Sequence, residues 1–96
     1  MIKRRFKFKT REPFYSKERH GIKNNTVRVI DLNDERFLDL IYWYQAGWND
    51  GDIQIEIVEV DSEDNNYFVR DIRDIAVYNN LMIITWNHKS TQNKGS

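Results

Sequence analysis

The chain has 96 residues, 15 Lys+Arg against 15 Asp+Glu, two His, one Pro and no Cys. That length points to one domain, and the missing Cys excludes disulfides, thiolate metal sites and cysteine nucleophiles. The zero net charge conceals a basic first third, +8 over residues 1–28, and an acidic middle, −10 over residues 29–74, an asymmetry that points to an anionic partner.

In chain order, Ile2, Arg4, Phe6 and Phe8 alternate with Lys3, Arg5, Lys7 and Lys9, which predicts a strand with one buried and one basic face. Thr10 offers an N-cap, Pro13 suits a first helical turn and Gly21 a stop, so a short helix is expected over Pro13–His20. His20 then sits at a helix C-terminus, where a charged imidazole is favoured. The β-branched run Thr26–Ile30 reads as a second strand. Asp31 or Asn33 can cap a second helix whose apolar stripe is Phe37, Leu38, Leu40, Ile41 and Tyr44, ending at Gly47. Within it Phe37, Ile41 and Tyr44 read as core, leaving Trp43 and Trp48 as rings that could pack inward or stack on a base.

After the Asn49–Asp52 turn, Ile53, Ile55 and Ile57 alternate with polar residues in a third strand that continues through Val58 and Val60. Asp61–Asn66 is a polar turn without the liganding pattern of a calcium loop. Tyr67–Asp71 forms a fourth strand, and Ile72, Ile75 and Val77 carry the chain to an Asn79-Asn80 turn before Leu81–Trp86 closes the sheet. Residues 1–88 form the single domain, and the polar stretch 89–96 is expected to be a disordered tail. The longest apolar run is too short to cross a bilayer, so the expected setting is soluble and cytoplasmic. Strand, helix, strand, helix and a three-strand meander predict an α+β fold, a small and mostly antiparallel β-barrel of about five strands with two short helices.

The segment from Glu18 to Arg28 carries the candidate chemistry. On a strand Thr26 and Arg28 share a face, and Lys23 in the preceding loop can fold over it. An ammonium, a hydroxyl and a guanidinium suit a phosphate, a carboxylate or the polar edge of a base. The same residues also read as a turn lysine, a β-forming Thr and an Arg paired with Glu18 or with an acid of the middle segment. The basic face of Lys3, Arg5, Lys7 and Lys9, extended by Arg11, Lys17 and Arg19, suits nucleic-acid phosphates, or an edge strand protected from aggregation by charge.

Gly21-x-Lys23-x-x-Thr26-x-Arg28 resembles the G-x-K-x-x-E-x-R signature of ASCH domains, which share the PUA-like barrel, with Thr26 in place of the Glu. The K-x-x-T-x-R form is similar to that of the ASCH-type N(4)-acetylcytidine amidohydrolases. The layout also resembles small ASCH-like proteins of phages and prophages in low-GC bacteria, whose F-x-R-x-I-x-D-I pattern is similar to Phe68–Ile75. The resemblance spans most of residues 2–87 and implies a nucleotide- or RNA-binding cleft of Lys23, Thr26 and Arg28, with Trp48 as stacking neighbour. For an amidohydrolase it implies Lys23 as activated amine, Thr26 as nucleophile or its partner, and Arg28 orienting the substrate. Those enzymes take a catalytic acid from a late helical insertion that is missing here, where Asp71 and Asp74 are the nearby late acids. A third expectation is a phage-type interaction or inhibitor module that binds a host protein through its acidic middle. No metal, cofactor or membrane contact is expected.

Overall fold

Aromatic residues at every second position make β1 (Arg4–Thr10) a strand with a dry face. Phe6, Phe8 and Thr10 are buried, while Arg5, Lys7 and Lys9 point to solvent. The computed structural model describes residues 4–88 together with the backbone of residues 92–94, so Lys3 lies outside the described residues. α1 (Phe14–Arg19) follows, then β2 (Asn25–Val29), α2 (Glu35–Ala46), β3 (Ile53–Glu59), β4 (Tyr67–Tyr78), β5 (Leu81–Trp86) and β6 (Gln92–Lys94).

The strands are ordered β1-β3-β4-β5-β2, with β6 added against β4. β1 runs parallel to β3, placing Phe6 opposite Ile55 and Phe8 opposite Ile57. The other pairs are antiparallel, and β3-β4-β5 form the expected meander. β4 serves both halves of the sheet. Its first part pairs with β3, and its second part pairs with β5 after a register shift between Ile72 and Asp74. Such an irregularity sharpens the bend of a strand. The result is a barrel-like α+β fold, a curled half-barrel whose end strands β1 and β2 do not pair with each other.

The concave side is filled by Phe6, Phe8, the isoleucines of β3, Phe68, Ile84 and Trp86, with Phe68 set 6.1 Å from Trp86. The helices close this core. Tyr15 of α1 meets Phe68 at 5.5 Å, and Phe37 of α2 meets Phe8 at 5.7 Å. Arg70, buried on the same side, donates to the Arg19 carbonyl at 2.9 Å and so binds the C-terminal end of α1 to β4.

Several local expectations are corrected. Thr10 does not cap α1: the pattern of β1 runs on through it, and Pro13 occupies the N-cap position. The Glu12 carboxylate instead accepts hydrogen bonds from the Ser16 amide at 2.8 Å and from its hydroxyl at 2.5 Å. Asp34, not Asp31 or Asn33, caps α2 by accepting from the Arg36 amide at 2.9 Å. The buried stripe of α2 is narrower than its sequence pattern. Phe37 and Leu40 are buried, Ile41 and Trp43 pack on the core, and Leu38 and Tyr44 face solvent. Beyond Trp86, where no further element is expected, Gln92–Lys94 pairs with Tyr67–Val69 of β4. The rest of the 89–96 stretch lies outside the described residues.

Candidate functional site

The gap between β1 and β2 is a cleft of about 580 Å³. Its walls are Lys9 and Thr10 from the end of β1, Arg11 and Glu12 just after it, Phe14 and Glu18 from α1, Lys23 from the loop, Thr26, Val27 and Arg28 from β2, and Val60 beyond β3. Lys23, Thr26 and Arg28 therefore come together as the sequence pattern implies. The cause is local. Gly21 turns the chain after α1 with φ +82°, and Thr26 and Arg28 then occupy alternate positions on the inner face of β2. A Cβ at Gly21 would stand 2.7 Å from the His88 ring, so the turn also depends on the small residue for space.

Arg28 spans the gap. Its Nε donates to Thr26 Oγ1 at 3.0 Å, one Nη donates to Thr10 Oγ1 at 2.8 Å, and the guanidinium lies 5.1 Å from the centre of the Phe8 ring. Among the described residues no carboxylate lies within ion-pair distance of it, which corrects the paired-arginine alternative. Burial lowers its pKa from the usual arginine value, and the nearby Glu18 charge opposes that shift. In the cleft lining Lys9, Arg11, Lys23 and Arg28 outnumber the carboxylates Glu12 and Glu18, and an anion entering the cleft would balance that excess.

Glu18 is 1% exposed and pairs with Lys23 Nζ at 2.7 Å. Lys23 also donates to the Asn25 carbonyl at 2.5 Å. Desolvation raises the Glu18 pKa above the usual carboxylate range, against the lowering influence of Lys23, Arg28 and the Thr10 hydroxyl. Lys23 is thus engaged as an ion-pair donor, and its acid in the cleft, Glu18, comes from α1. The late acids lie elsewhere: Asp71 accepts from Gln54 at 2.8 Å, and Asp74 is exposed.

A second recess of about 350 Å³ adjoins on the Phe8 side, lined by Lys7, Phe8, Lys9, Arg28 and Arg36. It holds four cations and no acid, although Asp34 pairs with Arg36 from outside it at 2.5 Å. Lys9 and Arg28 are shared by both recesses. Arg36 also donates to the Lys7 carbonyl and stacks 4.3 Å from the centre of Phe8.

The remaining basic positions are dispersed. Arg5 and Lys7 flank Glu56 of the neighbouring strand at 3.4 and 3.7 Å, and Arg11 reaches Asp61 at 3.9 Å. Lys17 is exposed on α1 outside the cleft lining, and Arg19 is half-buried with interactions of its own. Trp48 is not part of the cleft. It packs against the core and donates its indole N–H to the Ile72 carbonyl at 3.0 Å. The aromatic ring at the cleft is Phe14, 52% exposed, which sequence reading passed over. Its signal was an aromatic residue directly after Pro13 at a helix start. Thr10, Glu18 and Arg36 were also missed as site residues, since β1, α1 and α2 meet there only through the fold.

Among the described residues no helix is long and apolar enough to cross a membrane, and no cluster of metal-ligating side chains occurs. Comparison with known proteins finds no matching family model, curated protein or solved structure at a significant level of similarity.

Proposed function

We propose that this chain is an ASCH-type, PUA-like domain that binds a nucleotide or RNA in the cleft between β1 and β2. The observation that carries this reading is the convergence of Lys23, Thr26 and Arg28 on one open cleft, with Arg28 held by hydroxyls and in no ion pair among the described residues. The adjoining four-cation recess supplies a place for phosphate, and Phe14 supplies an exposed ring for a base. A volume of about 580 Å³ falls inside the range of about 300–1,000 Å³ common for small-ligand sites.

The binding reading is preferred to the amidohydrolase because Lys23 already donates to Glu18 and to the Asn25 carbonyl. It is preferred to an acidic docking surface because Glu56 and Asp61 of the acidic middle are paired with cations of the basic first third.

Equilibrium titration with a mononucleotide and a short RNA tests the proposal. Lys23→Ala combined with Arg28→Ala should weaken binding by about tenfold or more and flatten the salt dependence by about one unit of slope for each phosphate left without its cation. Lys9→Ala, on an exposed side chain with no ion-pair partner among the described residues, should act in the same direction without affecting folding. Unchanged affinity and salt slope in folded variants, checked by circular dichroism, would overturn the proposal.

A further inference from the structure

Both end strands of the sheet leave one main-chain edge without a partner strand, and the cleft lies between them. In the β2–β5 ladder the Trp86 amide donates to the Asn24 carbonyl at 3.0 Å and the Ile30 amide to the Asn80 carbonyl at 2.8 Å. Antiparallel alternation then directs the main-chain groups of Thr26 and Arg28 toward β5, and those of Asn25, Val27 and Val29 toward the open edge. The bond from Lys23 Nζ to the Asn25 carbonyl reaches that same edge. Val27 has a half-exposed side chain and lines the cleft, and its main-chain groups stand at the open edge that borders it.

The same accounting applies to β1. The Arg4 amide donates to the Asp52 carbonyl, and the Thr10 carbonyl accepts from the Val60 amide, both at 3.0 Å. Arg4, Phe6, Phe8 and Thr10 therefore turn their main-chain groups toward β3, and Lys9 turns its own away from it. Among the described residues no strand pairs with either open edge.

We infer that the cleft holds one unpaired base of a single-stranded nucleic acid, its hydrogen-bonding edge on the free main chain of Val27, its face on Phe14 and its phosphate in the four-cation recess. This rests on the nucleotide reading above and narrows it. A strand edge offers a donor and an acceptor side by side, the complement of a base edge that no second strand has taken. Single-stranded rather than duplex nucleic acid satisfies this, because pairing consumes that edge. An extended peptide could also add to a strand edge. The acid-free recess and the exposed ring at the cleft favour a phosphate and a base over a peptide.

The test uses the full chain and a short RNA of mixed sequence, alone and annealed to its complement. The single strand should bind about tenfold or more tightly than the duplex, and Phe14→Ala should weaken the single strand by about five- to a hundredfold. Val27→Pro removes only an amide that faces the open edge, and Thr26 before it is already extended, so the β2–β5 ladder stays intact. It should cost about tenfold in affinity, while Val29→Pro, on the same edge outside the cleft lining, should stay within about twofold.

A duplex bound as tightly as the single strand, yet still weakened by Lys23→Ala with Arg28→Ala, would overturn this inference and leave the nucleotide reading standing. No binding of either RNA or of a mononucleotide would overturn both. Tight binding of an acidic peptide that is abolished in Val27→Pro, with no RNA binding, would replace the base by an added strand. Should Val27→Pro fail to fold, the single-strand to duplex ratio and the Phe14→Ala effect decide.

Discussion

Glu18 illustrates how burial and pairing compete at one residue. Its carboxylate is almost fully enclosed, and desolvation raises its pKa despite Lys23 at 2.7 Å. A carboxyl that holds its proton more tightly folded than unfolded loses stability as pH rises above its ordinary value of 4.5 toward the folded-state value. Lys23, Arg28 and Thr10 face the group and moderate this loss without reversing it. Glu18→Gln removes the titration. Denaturant unfolding of both proteins over the acid range should show the stability of the native chain, relative to Glu18→Gln, falling as pH rises. A difference that stays constant or grows with pH would contradict the desolvation account. None of this was legible at Glu18 itself, because a Glu in a short helix gives no sign of the strand it will face. Arg28 was legible: an Arg between two valines of a strand stands out, and the structure gives it hydroxyl partners in place of a carboxylate.

At the scale of elements, strands were easier to read than helix faces. Period-two alternation in β1 and β5 translates directly into burial, because a sheet has only two sides, whereas in β3 the polar Gln54 is buried as well and donates to Asp71. In α2, five apolar positions suggested a broad stripe, but the half-barrel covers only the side carrying Phe37 and Leu40. Chemical unfolding should therefore show Leu40→Ala costing about 2–5 kcal/mol, and Leu38→Ala staying within about 0.5 kcal/mol. Similar costs for both would mean that the stripe is buried as broadly as its pattern. The rings followed the same logic. Trp48 turns inward and donates its N–H to an acceptor in β4, whereas Phe14 stays exposed at the cleft. The parallel β1–β3 pair had no local signature, since α1, β2 and α2 all intervene in the chain.

For the whole molecule, part of the charge asymmetry is resolved within the fold. Parallel pairing sets β1 beside β3, so Arg5 and Lys7 meet Glu56, while Arg4 reaches Asp39 of α2 at 2.6 Å. Exposed pairs of this kind contribute about 0–1 kcal/mol each, so their main effect is to quiet the basic face. Lys9 and Arg28 form no ion pair among the described residues, and they are the two cations shared by the cleft and the adjoining recess. The half-barrel stays open where those residues stand, and its unpaired strand edges and its free cations coincide.

The most direct test of that coincidence is a nuclear magnetic resonance titration of the isotopically labelled chain with a mononucleotide, following each backbone amide. The account predicts the largest shifts at Lys9, Phe14 and residues 26–28. Shifts confined to residues 50–64, or to the convex face of β4 and β5, would contradict it.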